Sequence, residues 1–211
     1  IAYTTDKKIV LCGHSKGANI AMEVLLNTPD EIFARIPKVY CFDGPGINQK
    51  EYHQAVIDGR IDKIISYVPY RASIGKLFNH YEEVKIVECT ANLAFQHDLL
   101  TWHIFRNDFI YKDHLSSDSV YLDLHFKKII NELSFEEKKT FVSALFNLFY
   151  ATGAKTLLEL ANSKAKFVNS FLKLPKDEKV ILNNILVKKI MNDARMRKIF
   201  LAFVKEFNNR D

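Results

Sequence analysis

The chain has 211 residues, 48% of them hydrophobic and 26% charged, with a net charge of +5. That is enough apolar material for a substantial core, and no uninterrupted apolar run reaches the ~18 residues that a membrane-spanning helix needs. The opening IAYTTDKK contains no apolar stretch of signal-peptide type, so the expected location is cytoplasmic.

The charge is unevenly spread: residues 1–113 carry a net −1 and residues 114–211 a net +6. A basic half suits an anionic partner or a peripheral contact with a membrane surface, or it is a solvated helical face. The basic residues are interleaved with acids and show no stacking aromatics, so no nucleic-acid partner is expected. Cys12, Cys41 and Cys89 are odd in number and widely spaced. They read as buried, reduced thiols, with neither a disulfide framework nor a metal site.

Four short apolar runs mark strands: KIVLC (8–12), KVYCF (38–42), KIISYV (63–68) and VKIVEC (84–89). The first two are almost continuously apolar, as strands covered on both faces are. Helical segments are expected between them at 16–27, roughly 48–58 and roughly 72–82. The alternation gives an α/β region over 1–113 with a parallel sheet and crossover helices. From residue 114 the chain becomes all α. Ser134 and Glu137 form a capping box before an amphipathic run in which Phe141, Leu145, Leu148 and Phe149 recur at helical spacing, and Gly153 is placed to end it. Thr156 and Glu159 suggest a second box. Pro175 precedes a long helical stretch from about 177 to 207, with Ile181, Ile185, Leu186, Ile190, Ile199, Leu201 and Phe203 as its apolar material.

The chemistry begins at IVLCGHSKGANIA (9–21). A strand, then G-x-S-x-G, then a helix is the context of a nucleophile elbow. Ser15 is the candidate nucleophile. Gly13 and Gly17 flank it where side chains would be expected to collide with the turn. The Lys16 N–H, at a helix N-terminus, is the candidate oxyanion donor. A serine nucleophile needs a base, and the base needs an orienting acid. In this kind of sheet both come from loops at the carboxyl ends of strands, in the chain order Ser, acid, His. His97 follows the fourth strand and fits the base; His103 is the runner-up. His14 reads as packing or capping, and His53 and His80 as surface or interface residues on crossover helices. Asp43, at the tip of the second strand in DGPG, fits the acid. Asp98 and Glu88 are weaker, the one adjacent to His97 and the other inside a strand. No cofactor or metal is implied.

The segments GHSKGAN, FDGPGI, YVPYRASIG and QHDLLTW, in that order, together with LSFEEKKTFVSALFNLFYATGAKTLLEL, resemble a family of bacterial lipase-like α/β-hydrolases known mainly as a domain of unknown function. The resemblance implies a serine-hydrolase fold acting on a small-molecule or lipid ester, with the nucleophile at Ser15 and the base at His97. Asp43 lies in a matching segment, its role as acid following from strand position. The strands that precede the elbow strand in such a fold are absent, so the chain is expected to be the C-terminal part of an α/β-hydrolase followed by the helical region. The function expected is ester hydrolysis through a Ser-Asp-His triad and an acyl-enzyme. The alternative is a non-catalytic protein of the same fold whose basic tail binds a partner or membrane surface.

Overall fold

The computed structural model describes residues 6–47, 59–76, 79–91, 93–153, 159 and 164–208. The chain divides into two compact units, Ile1–Leu124 and His125–Asp211. The division falls inside a helix, Ser117–Asn131, whereas the change in composition falls at 113–114.

The first unit is α/β. Strands β1 (Leu11–His14), β2 (Val39–Phe42), β3 (Ile64–Pro69) and β4 (Glu83–Val87) lie in that spatial order and are parallel. A fifth strand, β7 (Tyr111–Lys112), adds antiparallel to β4, so the sheet is mixed, not purely parallel. Between them a two-stranded hairpin, β5 (Ile104–Phe105) with β6 (Asp108–Phe109), forms its own small sheet. These two-residue strands are too short for the period-2 signal that marks a strand in sequence.

Helix α1 (Lys16–Asn27) runs as expected from the elbow and packs on one face of β1 and β2. Ala18, Ala21, Met22 and Leu25 bury against Val39, Cys41 and Ile64. Burying Met22 and Leu25 alone contributes roughly 1.5–3 kcal/mol each. On the opposite face Phe42 stacks on Tyr67 at 5.3 Å, and Phe109 meets Tyr67 at 5.5 Å and Trp102 at 5.6 Å. A short helix α2 (Asp30–Phe33) follows α1.

The helix expected at 72–82 does not form. Among the described residues of that segment only a single 3-10 turn, Ile74–Lys76, occurs, and Asn79 bridges to Ile47 instead. The physical reason is a tertiary contact: the Gly75 N–H is drawn to the Asp43 carboxylate at 2.9 Å, not to a carbonyl of its own turn. His80, expected as a surface or interface residue of that helix, instead has a buried side chain in a loop. Its Nδ1 lies 2.6 Å from Glu82 Oε1, which also accepts from Ser66 Oγ at 2.5 Å. The helix expected at 48–58, with His53, lies outside the described residues.

The second unit is helical: after Ser117–Asn131 (α3) come α4 (Phe135–Ala151), α5 (Lys164–Lys173), α6 (Lys176–Asn183), a π-helical stretch Asn184–Met191, and α7 (Ala194–Asn208). The capping box closes reciprocally: Ser134 N–H donates to Glu137 Oε2 at 2.8 Å and Glu137 N–H to Ser134 Oγ at 3.2 Å. Gly153 ends the run with φ 73°. Ala144, Leu148, Leu174 and Leu182 form the core, with Phe141 and Leu186 against it. Leu145 and Leu201 are exposed, contrary to expectation. The single long helix expected after Pro175 is broken at Asp193, whose carboxylate caps Met196 N–H at 2.7 Å and so starts a new helix. Phe149 and Phe203 side chains and Thr156 lie outside the described residues.

Candidate functional site

Ser15 follows β1 directly and begins α1 with φ 56° and ψ −126°. A non-glycine residue in that region stores roughly 1–3 kcal/mol of strain, which the surrounding structure must offset. The first force holding it is the sheet: Ser15 N–H donates to Phe42 O at 2.9 Å. The second is the helix, since Ala18 N–H donates to Ser15 O at 3.0 Å. A serine at a helix start ordinarily caps it with its hydroxyl. Here the side chain makes no cap hydrogen bond.

The two flanking glycines differ. A Cβ on Gly13 would lie 2.2 Å from the Gly17 carbonyl oxygen and 2.5 Å from Ala18 N, so no side chain fits. A Cβ on Gly17 would meet nothing within 4 Å. The expectation that both exclude a side chain on steric grounds holds only for Gly13.

Parallel register places Phe42 beside His14, so Asp43 leaves β2 alongside Ser15. Asp43 also has positive φ, 41°. Among the described residues only Ser15, Asp43 and Arg106 are non-glycine residues with positive φ, and two of the three meet here. The Asp43 N–H donates to Tyr67 O at 2.8 Å, and the side chain is 2% exposed. Its two carboxylate oxygens divide their work: Oδ1 accepts the Gly75 N–H at 2.9 Å and Oδ2 accepts from His97 Nδ1 at 2.7 Å. The following glycines let the loop lie close, for a Cβ on Gly44 would approach Ala18 Cβ at 2.2 Å and the Ser15 carbonyl oxygen at 2.9 Å.

His97 ends a 3-10 turn, Leu93–His97. The neighbouring Gln96, 2% exposed, fixes that turn: its side chain accepts from Arg71 N–H at 2.8 Å and donates to Ala91 O at 2.6 Å. The Gln96 carbonyl takes the Trp102 indole N–H at 2.7 Å. Because a carboxylate only accepts, the Nδ1 facing Asp43 carries the hydrogen, and the neutral ring keeps its Nε2 lone pair as a base. Asp98 turns elsewhere and caps the next turn, accepting Leu100 N–H at 3.0 Å. His103 faces Glu88, at 3.7 Å, and Glu88 also pairs with Lys112 at 2.8 Å. That lysine's hydrogen bond holds the Glu88 carboxyl below the usual range. Lys16 is the first residue of α1, and helix geometry leaves its N–H without an intrahelical acceptor.

Sequence reasoning missed Gly75, Gln96 and the contact of His14 with His97. Gly75 alone left a trace, as a glycine inside a segment read as helix. Cys12, expected buried, is exposed on the edge strand. Burial pushes the Cys41 thiol up to about 12, with the Glu82 charge adding to it. Burial likewise raises Cys89 to about 11.

These observations describe an α/β protein with a mostly parallel mixed sheet whose carboxyl edge carries a strained serine and a buried aspartate bonded to a half-buried histidine. The chain belongs to the Mbeg1-like family, whose model matches residues 1–147. No curated protein and no solved structure matches it. Among the described residues no helix is long and apolar enough to cross a membrane.

Proposed function

We propose that the protein is a serine hydrolase of the α/β-hydrolase type acting on carboxylic esters. The observation that carries this reading is the 2.7 Å Asp43–His97 hydrogen bond, made from the loop beside a serine in a strained strand-to-helix turn. Ser15 Oγ attacks the acyl carbonyl while its proton passes to His97 Nε2. The Lys16 N–H faces the oxyanion of the tetrahedral intermediate. Collapse breaks the ester C–O bond, and the leaving alcohol takes the proton back from His97. Water then attacks the acyl-enzyme by the same route, releasing the acid and restoring Ser15. Asp43 keeps the ring in the tautomer that leaves Nε2 free and stabilises the imidazolium that forms. A small-molecule or lipid ester is the substrate class. The free thiols suit a reducing compartment such as the cytoplasm.

The test is covalent labelling by a fluorophosphonate, followed by peptide mapping. Label on Ser15, lost in Ser15→Ala, is expected. An unlabelled Ser15 in folded protein favours instead a non-catalytic protein of this fold.

A further inference from the structure

The residue before the serine is not idle. His14 Nε2 lies 2.8 Å from the His97 carbonyl oxygen, and the two imidazole rings lie 4.4 Å apart at 36°. A carbonyl only accepts, so Nε2 carries the hydrogen and donates. His14 is the last residue of β1, bound into the sheet opposite Phe42, so its backbone is as fixed as the elbow itself. His97 lies on a loop eighty-three positions further on, and its described tethers are of three kinds. Asp43 holds the ring from the buried side. The preceding residue, Gln96, is held by Ala91 O and by the Trp102 indole N–H. His14 alone among the described contacts ties the His97 main chain to the strand that leads into Ser15.

We propose that His14 is a positioning residue, a strut from the elbow to the main chain of the catalytic base that sets the distance between Ser15 and His97. This rests on the serine-hydrolase reading above. Its logic is geometric. Nucleophile and base sit on segments far apart in sequence, and proton transfer between them needs hydrogen-bond reach. A tether from the residue adjacent to the nucleophile onto the residue that bears the base sets that reach with the fewest intervening bonds. The ring of His14 adds a packing surface on one face of the His97 ring, so the imidazole is held by Asp43 at its edge and by His14 on its face.

The substitutions separate donor from ring. In His14→Gln the side-chain amide reaches the position of Nε2 and can still donate. In His14→Phe the ring remains and the donor is lost. The readout is the inactivation of the full chain by a fluorophosphonate, resolved into reversible binding and the chemical step, with thermal melts to confirm folding. His14→Phe is expected to slow the chemical step by about ten- to a hundredfold, as a misplaced group does, with reversible binding unchanged and with His14→Gln recovering most of the rate. Wild-type rates in both variants, or equal slowing in both folded variants, overturn the proposal. A spectroscopic arm separates this from failure of the parent reading. The His97 carbonyl carbon resonance should move in His14→Phe and stay near its wild-type position in His14→Gln, whether or not Ser15 reacts. An unmoved resonance in His14→Phe refutes the strut itself. An unlabelled wild-type Ser15 with that resonance moved refutes the hydrolase reading and the catalytic purpose of the strut while leaving the contact standing.

Discussion

Gly75→Ala should disable the site without touching any residue that meets substrate. A Cβ there would lie 2.2 Å from Asp43 Oδ1, 2.9 Å from Val68 Cγ1 and 3.1 Å from Asp43 Cα. Carbon contacts are comfortable at about 3.5–4 Å, so the carboxylate must retreat by about 1 Å or more. Val68 is 1% exposed and cannot swing out of the way. Retreat lengthens or breaks the 2.9 Å bond from the Gly75 N–H and misdirects the 2.7 Å bond to His97. A hydrogen bond to a charged group contributes roughly 1.5–3 kcal/mol, and overpacking costs about 1–3 kcal/mol. The lower unfolded-state entropy of alanine returns about 0.4–1 kcal/mol. The net expectation is a destabilisation of about 1.5–5.5 kcal/mol. The catalytic loss should be on the order of 10²-fold, the cost of a displacement of about 1 Å. Its ceiling is the roughly 10⁴-fold loss that follows when a triad acid becomes an amide. Ester hydrolysis and fluorophosphonate inactivation measure the rate, and a denaturant melt measures the stability. Because both changes act through one carboxylate, Gly75→Ala combined with Asp43→Asn should be little slower than Asp43→Asn alone. A Gly75→Ala protein with the wild-type rate would refute the role assigned to the Gly75–Asp43 contact.

Asp43→Asn should cut the rate by orders of magnitude whereas Asp98→Asn changes it only a few-fold, since Asp98 caps a turn; steady-state kinetics of the two decides, and the reverse order would reassign the acid. Gly13→Ala should destabilise or misfold the elbow, because its Cβ meets backbone at 2.2 Å, while Gly17→Ala should melt close to wild type; equal melts would discount the steric reading of the elbow. Burial alone would raise the Glu82 carboxyl, but the hydrogen bond and charge of His80, with the Ser66 hydroxyl, outweigh it and hold it below the ordinary value. A lowered folded-state value means the stabilisation is present above the ordinary glutamate range and is lost as pH falls through the lowered value. Glu82→Gln should therefore cost about 1.5–3 kcal/mol at pH 7, the contribution of hydrogen bonds to a charged group, and should flatten the loss of stability in acid; melts across pH 3–7 that stay parallel to wild type would remove this assignment.

The parts of the fold that sequence reveals are those with local causes. The apolar runs around Leu11–His14, Val39–Phe42, Ile64–Pro69 and Glu83–Val87 are long enough for composition to betray strands. Reciprocal bonds between Ser134 and Glu137 need only a spacing of three. Where a distant partner decides the outcome, local pattern misleads. Residues 72–82 have helical composition, yet Gly75 N–H is taken by Asp43, thirty-two positions away, and Glu82 closes a buried cluster with Ser66 and His80. No short window of sequence holds both Asp43 and Gly75, or both Ser66 and Glu82. The break at Asp193 is the converse case: its cap on Met196 is local, but a run of apolar residues on both sides masks it.

The same distinction explains why the candidate site was more legible than its supports. Strand ends in a parallel sheet lie along one edge, so register alone brings the residues after β1 and β2 together, and order along the chain narrows the histidines. The supports obey no such rule. Tyr67 O, Gly75 N–H, the Gln96 side chain and His14 Nε2 are defined by which polar group happens to be nearest in the folded chain. Three of the four involve a backbone group of Asp43, Gly75 or His97, and almost any residue type supplies a backbone group. Side-chain identity is therefore silent about them. What identity does record is exclusion. Gly75 leaves room for the Asp43 carboxylate and Gly13 for the elbow backbone, each within a Cβ's reach. A substitution scan of such glycines would locate the packing limits of the site even where alanine replacement of its polar supports finds none.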